Sequence, residues 1–341
     1  MVLIINSFLP IVFGSPWKVE IHIAVVAWCA FCCSFCMKFV RLAQSDIIYI
    51  YKIVVVCGCA VGLYAIFKDF HFFLSMLLGS GDYEEYYSFL RQRNLFAAYC
   101  YLCTVPTLYL YYTQRKKVFL ILILFGGLHI FLTTSRNSFL SFGMLIGIST
   151  YLKTQKRYYF YGCIIVLVAA IFVGFGGFEN FYDRFRHETN EGTDSSMIRY
   201  MMWELCVNYL TQKSAWLSGF GFGSVSKYLL PLFDFGSSHN MYIDVLFWGG
   251  IVLVVLILIP LGYSLKVSLR NKDEAYRVTM TGAIVSYFFY CFFEAGMTLF
   301  LANFFSLTST LLLIMMPLNY AGETTKNGVK RYADKRFYGK Y

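Results

Sequence analysis

Five basic side chains stand where apolar stretches of this chain begin or end. They are Arg91 and Arg93 in SFLRQRNLFAAY, Arg136 in LTTSRNSFL, Arg199 in SSMIRYMMWE and His239 in FGSSHNMYIDVLFWGG. A planar guanidinium fork meets phosphate oxygens in two contacts at once. A neutral imidazole takes a proton from an attacking hydroxyl near neutral pH. Several forks and one imidazole at a membrane boundary therefore suit group transfer from a lipid-linked diphosphate. The guanidiniums stabilise the departing diphosphate while the imidazole receives the hydroxyl proton. His239, Arg136 and Arg199 are the expected catalytic set. Arg91, Arg93, Asn94, Asn240 and Asp244 are expected to contact substrate. Gly221 and Gly223 in SGFGFGSVSKYL join them, because a glycine-rich turn can aim N–H groups at a phosphate. No strand precedes these glycines, so a dinucleotide-binding unit is excluded. The scheme requires no metal and no cofactor.

Each cation also has a purely structural use. Arginines near the ends of spans snorkel to the interface, and an interfacial histidine is often only hydrogen-bonded. Arg136 fits that use least. Its link is so short that the guanidinium stays close to hydrocarbon, on the side where positive charge is disfavoured. The aromatics of GDYEEYYSF, with Trp203 and Trp216, can stack on sugar rings, but most are expected to form the headgroup belt. Asp82, Glu84 and Glu85 read as a solvated acidic loop. Cys29, Cys32, Cys33 and Cys36 in CAFCCSFC are spaced like metal ligands. Inside an apolar span the same spacing is one helix face of small residues.

The elements that must hold these groups follow from composition. The chain is 58% hydrophobic and only 14% charged, with a mean hydropathy of +0.59; a soluble domain of this size carries far more charge. The fold class is an all-α polytopic membrane protein. Apolar runs at 21–40, 47–67, 95–113, 118–134, 137–152, 158–178, 240–264, 277–296 and 298–317 are long enough to cross as helices. With the apolar opening MVLIINSFLPIVFG left open as a further span, they make about nine or ten crossings. Lys38, Arg41, Arg115, Lys116, Lys117, Lys153, Lys156, Arg157, Lys266, Arg270, Lys272, Arg277 and the basic tail fall on one side. Positive charge stays in the cytoplasm during insertion, so that side is cytoplasmic. The net charge of +10 is therefore topology and attraction to lipid, not a nucleic-acid footprint. N-terminal helices over 1–178 precede a large extracytoplasmic loop at 179–238, then C-terminal helices at 239–318 and a cytoplasmic tail at 319–341. Within the loop, Asp194, Ser195 or Ser196 can cap a helix from about Met197. Its apolar stripe is expected at Ile198, Met201, Leu205, Cys206 and Tyr209.

RNLFAAY, TTSRNSFLSF, SSMIRYMMWE followed by GFGFG, and above all SSHNMYIDVLFWGG resemble the O-antigen polymerase and ligase superfamily. The likeness runs over roughly residues 90–260. It implies a GT-C-like membrane glycosyltransferase in the bacterial inner membrane, with its active site facing the periplasm or exterior. His239 corresponds to the proposed base, Arg136 to the arginine after the small polar residues, and Arg199 to the loop arginine before Trp203. The implied partners are an undecaprenyl-diphosphate-linked glycan, membrane lipid and a chain-length regulator. Many relatives have an acidic residue ahead of the glycine where this chain has Trp248, then Gly249 and Gly250; Asp244 or Glu294 could take that carboxylate's place. Polymerase is the first reading, with ligase as the alternative acceptor choice. A glycosidase built on paired carboxylates such as Glu179, Asp183, Glu188 and Glu191 leaves the arginines without a role. A flippase for the same glycan predicts inverted repeats and midplane charge, of which Lys52 is the one candidate.

Overall fold

The computed structural model describes residues 42–68, 70, 71, 73, 74, 88, 93–133, 135–156, 195–221, 224–233, 236–295 and 308–320. The expected spans 21–40 and 158–178, most of 298–317 and of the 68–94 segment, the start of the large loop and the tail beyond Tyr320 lie outside them. So do Cys29, Cys32, Cys33 and Cys36.

The apolar runs become helices with nearly the expected bounds. They are α1 (Gln44–Lys68), α2 (Arg93–Gln114), α3 (Lys117–Leu132) and α4 (Arg136–Thr154). The loop supplies α5 (Ser195–Gln212) and α6 (Ser224–Phe233), followed by α7 (Met241–Leu269) and α8 (Glu274–Tyr290). α9 (Thr308–Asn319) contains a π-helical turn at Leu311–Met315. Among the described residues the sole extended pairing is a single bridge between Leu42 and Tyr320.

Among the described residues, two helices, α1 and α7, are long and apolar enough to cross a membrane. Both present exposed apolar side chains, as at Tyr49, Val56 and Phe67 of α1 and Val255 and Ile259 of α7. That is what a lipid-facing helix presents. α2 is the reverse, buried without interruption from Phe96 to Leu110. Its hydroxyls find partners inside: Thr104 and Thr107 donate to carbonyls one turn back at 2.8 and 2.7 Å, and the Tyr101 hydroxyl lies 2.6 Å from Ser286 Oγ of α8. A helix surrounded by protein can carry tyrosine, serine and threonine, because its neighbours satisfy them.

α4 and α8 pack closely and antiparallel. Midway, Gly282 lets them meet: a Cβ there would lie 2.2 Å from Ser149 Oγ. At one end Lys153 is paired with Glu274, whose carboxyl is held below its ordinary range chiefly by that lysine's hydrogen bond. At the other end Asn137 Nδ2 donates to the Tyr290 carbonyl at 2.9 Å. The end bearing Lys153 has a second tie. Asp273 caps α8 by accepting from Tyr276 N at 3.2 Å, and its other oxygen takes Tyr109 Oη at 3.0 Å, Tyr320 Oη at 2.8 Å and Gln44 Nε2 at 3.3 Å. One buried carboxylate thus joins α1, α2, α8 and the end of α9.

Asp273→Ala leaves those donors without an acceptor, each at a cost of about 1–3 kcal/mol. Thermal unfolding of the detergent-solubilised protein is expected to show a clear loss for Asp273→Ala. Lys153→Ala, at a half-exposed pair, is expected to change stability by no more than about 1 kcal/mol.

Candidate active site

α8 ends at Tyr290 and continues as a turn through Glu294. A helix end leaves its last carbonyls without intrahelical partners, and here other elements supply them. Tyr242 Oη of α7 donates to Phe288 O at 2.9 Å, and Asn137 of α4 reaches Tyr290 O. Met241 N donates to Cys291 O at 2.9 Å, and Arg199 Nη1 of α5 donates to Phe293 O at 3.2 Å. Three segments that carry expected site residues therefore meet on one turn.

His239 faces that turn. Its Nδ1 lies 3.7 Å from Glu294 Oε1, and both side chains are mostly buried. The backbone of His239 is left-handed, with φ of 55°, a conformation that costs a non-glycine residue free energy unless its surroundings enforce it. The surroundings are dense. Asn240 caps α7, its Oδ1 accepting from Tyr242 N at 2.9 Å and Ile243 N at 3.1 Å. Asp244 Oδ1 accepts both the backbone N–H of Ser238, at 2.9 Å, and its hydroxyl. Trp203 of α5 donates its indole N–H to Ser238 O at 2.8 Å. The residues on either side of His239 are thus gripped from two helices, which fixes where the imidazole points. Asn240 and Asp244, expected at the substrate, hold the histidine turn.

Of the remaining expected residues, Arg136 is the first residue of α4, directly after Ser135 at the N-cap position, whose side chain makes no capping hydrogen bond, and it adjoins Asn137. Arg93 and Asn94 open α2, Arg93 exposed and Asn94 half-buried. Arg91 and Gly223 lie outside the described residues. Gly221 has a structural use. α7 is broken at Gly249 and Gly250, whose backbones are non-helical, and the break frees carbonyls and an N–H. Phe220 N donates to Phe247 O, Gly221 N to Trp248 O and Ile251 N to Trp216 O, each at 2.8 Å. The Gly221 N–H is therefore engaged by the helix break. A Cβ on Gly219 would lie 2.5 Å from Gly249 N, and one on Gly250 would lie 2.2 Å from Leu217 O. Tyr209, Phe220, Tyr228 and Phe247 pack ring against ring around this junction. The stripe of α5 keeps Ile198, Leu205, Cys206 and Tyr209 against the core, as expected. Met202, Cys206 and Leu210 are buried, and Met201 is exposed. Burial, with the nearby Asp244 carboxylate adding to it, pushes the Cys206 thiol up to about 12.

Residues 118–258 match the family model described as O-antigen ligase. This stretch is similar to the O-antigen ligase family. The superfamily resemblance read from the sequence therefore holds over α3 to α7, which contain Arg136, Arg199, His239, Asn240 and Asp244. Arg93, Asn94 and Glu294 fall outside the O-antigen ligase match. No curated protein and no solved structure is similar enough to this chain to match it.

Gly250→Ala adds a Cβ where φ is positive and the Leu217 backbone already stands. It is expected to unseat the turn after α5, seen as faster proteolysis between Gln212 and Gly221 and a lower unfolding temperature. Gly236→Ala, at a site with open space around it, is the control expected to behave like the parent chain.

Proposed function

We propose that this protein is a polysaccharide polymerase of the bacterial plasma membrane, a multi-pass enzyme working at the extracytoplasmic face. The donor is a glycan on undecaprenyl diphosphate and the acceptor a hydroxyl of another lipid-linked repeat unit. The hydroxyl oxygen attacks the anomeric carbon as the bond from that carbon to the diphosphate oxygen breaks, with inversion. The hydroxyl proton passes to His239, and undecaprenyl diphosphate leaves. Because Nδ1 of His239 faces Glu294, Nε2 is the nitrogen assigned to take the proton. The Glu294 carboxylate then favours the imidazolium that forms. Arg136 and Arg199 are assigned to the departing diphosphate, Arg136 at the positive end of α4.

The supporting observation is the convergence of α4, α5 and the His239 turn on the Tyr290–Glu294 turn, most of it within the stretch that matches the O-antigen ligase family. The family's own description keeps a second reading in view: transfer of the glycan to lipid A core, protein or a wall polymer. The acceptor alone separates the two. A chain-length regulator would act as partner only in the polymerase.

Purified protein in detergent, given a lipid-linked repeat unit, is expected to form longer glycans without any second compartment. At equal abundance, His239→Ala is expected to lose about 10²–10⁴ in rate. Arg199→Ala and Arg136→Ala should each lose about 10²–10³. Glu294→Gln should lower kcat more than it raises KM. A parental glycan length distribution from His239→Ala would remove the base assignment.

A further inference from the structure

α7 divides at Gly249 and Gly250 into two pieces with different surroundings. From Met241 to Gly250 no residue is exposed. From Ile251 onward apolar side chains open outward, at Ile251, Val252, Val255, Leu256 and Ile259. At about 1.5 Å per residue the piece from Ile251 to Leu269 rises roughly 28 Å. The hydrocarbon core of a bilayer is about 30 Å thick. The outward-facing piece is thus long enough to cross on its own, which puts the break at the edge of the hydrocarbon.

The turn after α5 is fixed to that edge, since the Trp216 carbonyl accepts the Ile251 N–H and Gly250 packs on the Leu217 backbone. Its side chains nevertheless turn away from the protein. Trp216 is 40% exposed and Leu217 69%, beside Ile251 at 49%. The apolar surface of α7 therefore continues without interruption onto the turn. Just before it stands Lys213, also exposed. Lysine, then tryptophan, then leucine is the order in which a leaflet presents its anionic headgroups, its interface and its acyl chains.

We propose that the Trp216–Leu217 turn is a lipid anchor, inserted at the acyl edge of the leaflet at the break end of α7, with Lys213 among the headgroups. Part of the extracytoplasmic loop is then bound to the bilayer. The anchor depends on α7 spanning a membrane and is independent of the glycan-transfer reading, so either can fail alone.

The test uses the full chain in phosphatidylcholine vesicles, some containing phosphatidylcholine brominated along its acyl chains. The fluorescence lost in Trp216→Phe isolates the Trp216 signal. That signal is expected to be quenched by brominated lipid and spared by aqueous iodide. Leu217→Trp adds an indole one residue further in, expected to be quenched by bromines deeper in the chain, and it decides the matter if Trp216→Phe does not fold. Quenching of both indoles by iodide, with none by brominated lipid, overturns the anchor.

Discussion

The carbonyls left over at the end of α8 organise the rest of the site. A helix closing inside a protein cannot leave them to water, and unpaired acceptors at a membrane boundary are costly. In this chain Tyr242 meets the carbonyl of Phe288, Asn137 that of Tyr290, the Met241 amide that of Cys291, and Arg199 that of Phe293. Each donor comes from near a residue with chemical potential: Asn137 follows Arg136, Met241 follows His239 and Asn240, and Arg199 is itself one. A structural need, the capping of one helix, thus brings Arg199, the His239 turn and the start of α4 to the same turn. The Glu294 carboxylate arrives with the same turn.

The break in α7 raises the same difficulty and answers it differently. Here the helix interior is interrupted, and the loop supplies the missing partners with its own backbone. That use explains why glycine stands at 219 and 250, where any side chain would meet peptide atoms. It also ties the loop to α7 within the O-antigen ligase stretch. The loop is held by backbone bonds at the break and by Trp203 and Arg199 at the histidine end.

Much of this was legible in the sequence. Apolar runs gave helices within a few residues of their bounds, and Arg199 and His239 stood out as cations beside hydrocarbon. The contact of His239 with Glu294 was not legible. The two are separated by the whole of α7 and α8, and only the lengths of those helices decide which residue of the following turn faces the imidazole. Glu294 was named as one possible carboxylate, but spacing alone could not choose between it and Asp244. The backbone bond of Gly221 to the broken helix was not legible for a related reason. A Gly-x-Gly run signals that backbone will come close to something, and sequence does not say whether that is a phosphate or a broken helix. The exchange of Met201 for Met202 on the buried side of α5 was missed because the two are chemically alike, so the pattern fits either.

Gly282 lies far from every group discussed as reactive, yet it governs their spacing. The interhelical gap there is one hydrogen atom wide on the α8 side, and α4 and α8 run from it as stiff rods, one carrying Arg136 at its tip and the other leading to Glu294. A single methyl at Gly282 would meet Ser149 Oγ and the Leu145 carbonyl and press α4 and α8 apart there. The spacing that the proposed chemistry would use between the arginine and the carboxylate is therefore governed in part by how closely the two helices meet at this glycine.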